Sequence, residues 1–140
     1  EVAAGVEIVS LWCSPLLRAR ETAAVVAARI GLEPVEDARF AETDTGDWTG
    51  RSFADVRAED PEGFARFQRS DPTFRYPGGE SFAEQSDRVQ AGLADLRARP
   101  AALPALVVCH RGVIRLALAV ALGDETAGGR EIANASLVTL

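Results

Sequence analysis

The chain has no lysine and no methionine, a single histidine, a single tyrosine and only two cysteines. Each shortage excludes something. Two thiols, Cys13 and Cys109, cannot form the multi-bridge framework of a small secreted domain. Each ends an apolar run, so both are read as buried, inert thiols suited to a reducing cytoplasm. With no paired His or Cys at ligand spacing, no metal is expected, and no cofactor. The sequence holds neither a Walker-type phosphate loop nor a Gly-x-Ser-x-Gly elbow. No apolar run reaches the roughly eighteen residues of a membrane span, and the N-terminus is unlike a signal peptide. Basic charge is also scarce: 15 arginines face 21 acidic residues, a net charge of −6. That balance argues against a nucleic-acid partner. Lacking methionine, position 1 is not read as a translation start. Glu1 to Val6 reads as the tail of a helix, and the chain is expected to be a fragment or a trimmed product.

What is present is ordinary for a globular protein: 47% hydrophobic and 26% charged residues over 140 positions. One domain over residues 1–140 is the expectation. Val6 to Cys13 is rich in β-branched and aromatic residues and reads as a buried strand. Ser14-Pro15 suits an N-cap and first helical position. Leu16, Ala19, Ala23, Val26 and Ile30 fall at helical spacing, and Gly31 supplies the stop. After a turn-rich stretch from Ala41 to Gly50, Ser52 with Asp55 and Asp60-Pro61 each open a short helix. Ser70 to Gly79 reads as a loop. Ser81 with Glu84 forms a capping box for a helix to about Arg99, striped by Phe82, Val89, Leu93 and Leu96. Leu106 to Cys109 is a second buried strand, Gly112 to Leu122 an apolar helix, and Ser136 to Leu140 a final strand. Strands alternating with helices predict an α/β fold with a mainly parallel sheet.

In such a sheet, anions gather at the carboxyl ends of strands, where helix N-termini offer free N–H groups. His110 ends one strand and precedes a helix; Ser14, Arg18 and Arg20 stand at the same place after another. A lone histidine can be a satisfied structural residue, and its position at a strand end weighs against that. Cys109 and His110 are strand neighbours pointing to opposite faces, so they form no nucleophile–base pair.

Four segments make the reading more specific. Ser14-Pro15-Leu16-Leu17-Arg18-Ala19-Arg20-Glu21-Thr22-Ala23 resembles the Ser-Pro-Leu-x-Arg-Ala-x-x-Thr-Ala pattern of histidine phosphatases, the phosphoglycerate mutase-like superfamily. Glu42 to Gly50 is similar to that family's Glu-x-x-x-Gly-x-Trp-Glu-Gly. Pro77-Gly78-Gly79-Glu80-Ser81 and Val108-Cys109-His110-Arg111-Gly112-Val113-Ile114-Arg115 resemble two more of its motifs, in the family's order. The resemblance implies a phosphoglycerate mutase-like, three-layer α/β/α fold. It also implies that Arg18 clamps phosphate oxygens, that Glu42 acts as general acid and then base, and that His110 stabilises charge on the transferring phosphoryl group. Trp48 and the Gly-Gly pair look structural.

Three departures qualify it. The family's nucleophile is the histidine of an Arg-His-Gly triplet on an earlier strand, absent here, so covalent catalysis by these residues alone is not expected. Arg111 replaces a small residue and offers a further phosphate or carboxylate contact. Thr49 stands where the family often has Glu. The implied function is hydrolysis of small phosphate monoesters through a phosphohistidine in the full-length protein. The alternatives are a phosphoglycerate mutase and a non-catalytic phospholigand-binding module. The segment from Asp60 to Pro77, carrying Arg66, Arg69 and Arg75, is expected over the pocket. The expected partner is a small phosphorylated substrate, with no nucleic acid and no membrane; a homodimer is left open.

Overall fold

A computed structural model describes residues 6–71, 73–123 and 132–140. The expected helix tail at residues 1–5 and Pro72 lie outside them. Among the described residues three strands, β1 (Ser10–Cys13), β2 (Pro34–Glu36) and β3 (Ala105–Val108), form one parallel sheet in the order β2-β1-β3. Five α-helices among the described residues accompany them: α1 (Leu17–Ile30), α2 (Phe53–Glu59), α3 (Pro61–Gln68), α4 (Phe82–Arg97) and α5 (Arg111–Leu122). Contacts divide the chain into two compact units, one of the residues up to Glu42 together with those from Arg88 onward, the other Thr43–Asp87.

The first unit holds the sheet. Trp12 on β1 lies opposite Val107 on β3, and both pack with Phe40, Val89, Leu96 and Val113, so α4 and α5 cover that face. Strand alternation turns Leu11 and Cys13 to the other face, where α1 lies against β1 and β3 with Ala19 and Ala23 buried. Small residues four apart on α1 let the helix approach closely. Gly31 ends it at φ 72°, its N–H donating to the Ala27 carbonyl, as a glycine C-cap does.

Two expectations about strands need correction. The β1–β3 ladder begins at Ser10 opposite Ala105, later than Val6. Val9 N–H still donates to the Pro104 carbonyl at 3.0 Å, but proline has no N–H of its own with which to carry the ladder further. Ser136 to Leu140 alternates well enough to read as a strand, yet it pairs with no strand among the described residues. Ser136 instead closes a turn onto the Ala133 carbonyl, and Val138 packs beside Leu118 and Ile132.

The second unit follows its local signals. Ser52 accepts from the Asp55 N–H at 3.1 Å, and Asp60 accepts from the Gly63 N–H at 2.8 Å. Ser81 and Glu84 cap each other reciprocally, at 2.9 and 3.2 Å. Arg75 and these cap bonds hold the Glu84 carboxyl down at about 2. The Gly-rich motif exists because two backbones meet. Asp47 N–H donates to the Pro77 carbonyl and Glu80 N–H to that of Asp44. A Cβ on Gly46 (φ 49°) would sit 2.1 Å from the Pro77 oxygen, and one on Gly79 would sit 2.3 Å from that of Asp44. Arg66 bonds Asp71 and Thr73, and Arg75 bonds Gly79 and Glu84, so both of these arginines are engaged by partners within nine residues of them.

Candidate functional site

Glu42 reaches its place because the residues before it are anchored three ways. Phe40 is completely buried in the core beside Trp12 and Val89. Arg39 forms ion pairs with Asp37 at 2.7 Å and with Asp95 of α4 at 2.6 Å. The Arg39 guanidinium in turn holds the Asp37 carboxyl below its usual range. Arg88, also on α4, donates to the carbonyls of Arg39 (2.9 Å), Ala41 (2.8 Å) and Glu42 (3.2 Å). One guanidinium thus fixes three peptide oxygens in the four residues that end at the carboxylate. Arg88→Met leaves those carbonyls without that donor. It is expected to cost about 1–3 kcal/mol and to speed amide exchange at Phe40 and Ala41. Unchanged exchange there would mean the clasp does not hold the segment.

His110 leaves β3 in extended conformation and serves as the residue before α5, accepting the Ile114 N–H on its carbonyl at 3.0 Å. Its ring is nearly buried, and its Nε2 lies 2.7 Å from the Ser14 hydroxyl. Burial is the main force pushing the imidazole below its ordinary value; Glu42 opposes this, and Arg18 and Arg88 add to it. Cys109, one residue earlier, packs into the core, and burial lifts its thiol up to about 11. Cys13 is also buried and raised, for the same first reason. Both thiols are therefore held protonated and unreactive near neutral pH.

Ser14 corrects an expectation. It does not cap α1. The helix starts at Leu17, Leu16 occupies the cap position, and no side chain caps it. The Ser14 hydroxyl accepts the Leu16 N–H at 3.2 Å and faces His110 across 96 residues of sequence. A capping pattern signals local geometry only, so no reading of neighbours reveals this second partner. Arg88 carries no local signal for the same reason: the carbonyls of Arg39, Ala41 and Glu42 lie 46 to 49 residues away.

The cavity at this end of the sheet has a volume of about 810 Å³. Arg18, Ala19 and Thr22 of α1 line it, with Glu42, the end of β3, His110, Arg111 and residues 132–137. Arg18 and Arg111 are exposed, Glu42 is partly buried and His110 is buried. All four residues expected at the site thus share one cavity: two guanidinium groups, a carboxylate and an imidazole, beside the N-terminus of a twelve-residue helix. Such a set attracts a multivalent anion, supplies forked donors for its oxygens and carries a group able to transfer a proton. Among the described residues, no group of three His, Cys, Asp or Glu side chains could hold a metal ion, and no helix is long and apolar enough to cross a membrane.

Known proteins resemble this chain in both sequence and fold. Phosphoserine phosphatase 1 of Hydrogenobacter thermophilus is 32% identical over 115 residues, covering 82% of this chain and 54% of the relative. The Klebsiella pneumoniae protein named "Probable phosphoglycerate mutase GpmB" is 36% identical over 104 residues, 74% of this chain and 48% of its own. The crystal structure of the α-ribazole phosphatase from Shigella flexneri superposes with a TM-score of 0.78 at 29% identity, covering 88% of this chain and 62% of that one. The chain thus spans from 31% to 54% of the length of the curated relatives it matches. The model of the histidine phosphatase superfamily (branch 1) matches residues 1–140, and with the parallel α/β fold this places the chain in that superfamily.

Proposed function

We propose that the protein formed by these residues hydrolyses small phosphate monoesters through a phosphohistidine, with the cavity around Arg18 and His110 as its phosphate site. The observation that carries this reading is the shared cavity of Arg18, Glu42, His110 and Arg111 at the carboxyl end of a parallel sheet. Arg18 grips two phosphate oxygens in a fork, and His110 donates to a third as negative charge builds there. Arg111, at the first position of α5, adds a second guanidinium suited to a further phosphate oxygen or to a carboxylate elsewhere on the substrate.

The chemistry needs a nucleophilic imidazole as well, and His110 is the one histidine in this sequence. We place the nucleophile outside residues 1–140, which by themselves bind the ester without turning it over. Attack on phosphorus forms the N–P bond and breaks the P–O bond to the leaving group, which takes the proton of Glu42. The resulting carboxylate then removes a proton from water, whose oxygen attacks the phosphohistidine and releases phosphate and free imidazole. Two protonated thiols suit a reducing cytoplasm, and the charge of −6 suits a small anion gripped locally rather than a nucleic acid.

The test begins with the 140-residue chain and inorganic phosphate, followed by calorimetry. Arg18→Ala should weaken binding by about 10- to 100-fold, the worth of one charge-assisted fork. Equal affinity in both would remove the phosphate site. A mutase is the second reading, favoured by the relative that carries that name. Phosphoryl exchange outrunning hydrolysis on phosphoglycerate, in protein that includes the nucleophile, would establish it instead.

A further inference from the structure

We infer that Ser14 is a positioning residue that locks His110 as the Nδ1–H tautomer, so that Nδ1 is the ring nitrogen left to donate to an anion in the cavity. The assignment follows from accounting for one buried hydroxyl. Ser14 is 0% exposed, and its oxygen already accepts the Leu16 N–H at 3.2 Å. Its own O–H needs an acceptor. Among the described residues, the atom in place to receive it is His110 Nε2, at 2.7 Å. No buried side-chain polar atom among those residues lacks a partner.

Suppose instead that Nε2 carried the proton. The serine oxygen would then accept from both the ring and Leu16, and the hydroxyl hydrogen would be buried without an acceptor. A stranded buried donor is costly enough to favour the other tautomer about tenfold or more. With Nε2 accepting from serine, the proton of the neutral ring resides on Nδ1. The ring has no other polar atom, so Nδ1–H is its remaining donor. The role given to that donor rests on reading the cavity as a phosphate site; the tautomer itself does not.

The charged groups around the ring agree. Arg18 on α1 and Arg88 on α4 disfavour a positive imidazole, Glu42 favours it, and Arg111 on α5 adds positive charge to the same cavity. Burial outweighs Glu42 and keeps the ring neutral more readily than a free histidine. Ser14 acts in the same direction. Its O–H can donate to Nε2 only while that nitrogen is unprotonated; protonation reverses the bond and strands the buried hydroxyl hydrogen, so the titration midpoint falls.

Because His110 is the chain's only histidine, a long-range nitrogen–proton NMR spectrum of the ¹⁵N-histidine-labelled 140-residue protein reports one ring. A pyrrole-like Nδ1 and a pyridine-like Nε2 near neutral pH are expected; the reverse assignment overturns the inference. Ser14→Ala should reduce the Nδ1–H preference about tenfold and move the ring's titration upward, and Ser14→Thr, which keeps the hydroxyl, should restore both. If Ser14→Ala does not fold, the wild-type spectrum alone decides. Inorganic phosphate should perturb the Nδ1–H resonance. Failure of phosphate to bind while Nδ1–H persists would overturn the phosphatase reading and uphold the serine lock. Phosphate binding to an Nε2–H ring would do the opposite.

Discussion

Glu42→Gln should lower turnover by about 100- to 10,000-fold in protein that includes the nucleophilic histidine, the usual worth of a positioned acid–base group. The amide preserves shape and leaves the Arg88 contact to the Glu42 carbonyl in place, but it cannot deliver a proton. The loss should therefore fall on kcat, with KM nearly unchanged. The substrate dependence sharpens the test. The p-nitrophenolate group leaves readily as an anion, whereas an alkoxide needs its proton as the P–O bond breaks. The penalty should be larger for an alkyl phosphate than for p-nitrophenyl phosphate. Equal penalties on both would mean that Glu42 does not protonate the leaving group, and unchanged turnover would remove it from the chemistry altogether.

Trp48→Ala should reduce the free energy of unfolding by about 3–5 kcal/mol, the range for losing a large buried aromatic. Seven of the chain's nine aromatic residues lie between Thr43 and Asp87, and Trp48 packs against four of them. Its ring meets Tyr76 edge-on at 5.3 Å, Phe67 edge-on at 5.6 Å, Phe74 at 5.5 Å and Phe64 at 6.2 Å. So short a unit has little volume in which to build a core. A cluster of large flat side chains buries more area per residue than aliphatic ones would, and edge-to-face pairs add to it. Truncating Trp48 removes four ring pairs at once and opens a void that the rings around it cannot collapse to fill. Urea denaturation followed by near-ultraviolet circular dichroism measures the effect. A loss below about 1 kcal/mol would show that the cluster repacks without Trp48.

Local signals were legible wherever the deciding partners lie within a few residues. Ser52, Asp60 and the Ser81–Glu84 pair cap the helices they were expected to cap, because a cap is made with the N–H groups two or three positions on. Gly31 ends α1 because the left-handed turn is a property of the glycine itself. The fold class follows from strands and helices alternating along the chain; three of the four motif segments hold the candidates Arg18, Glu42 and His110, and Arg111 stands out there as a departure from the family pattern.

Other features rest on contacts far apart in sequence. Whether Ser136 to Leu140 becomes a strand depends on a partner edge, and nothing in the pentapeptide specifies one. Ser14 has the composition of a helix cap but faces an imidazole, because the parallel register of Cys13 with Val108 brings the two strand exits side by side. Arg88 reads as an ordinary polar position on a helix until folding lays three carbonyls against it. The sequence by itself determined which groups can do chemistry, since that is a matter of side-chain type and short-range conformation. Only the tertiary structure decided which atoms hold those groups in place, because hydrogen bonds across tens of residues arise from packing and leave no periodic trace in the chain.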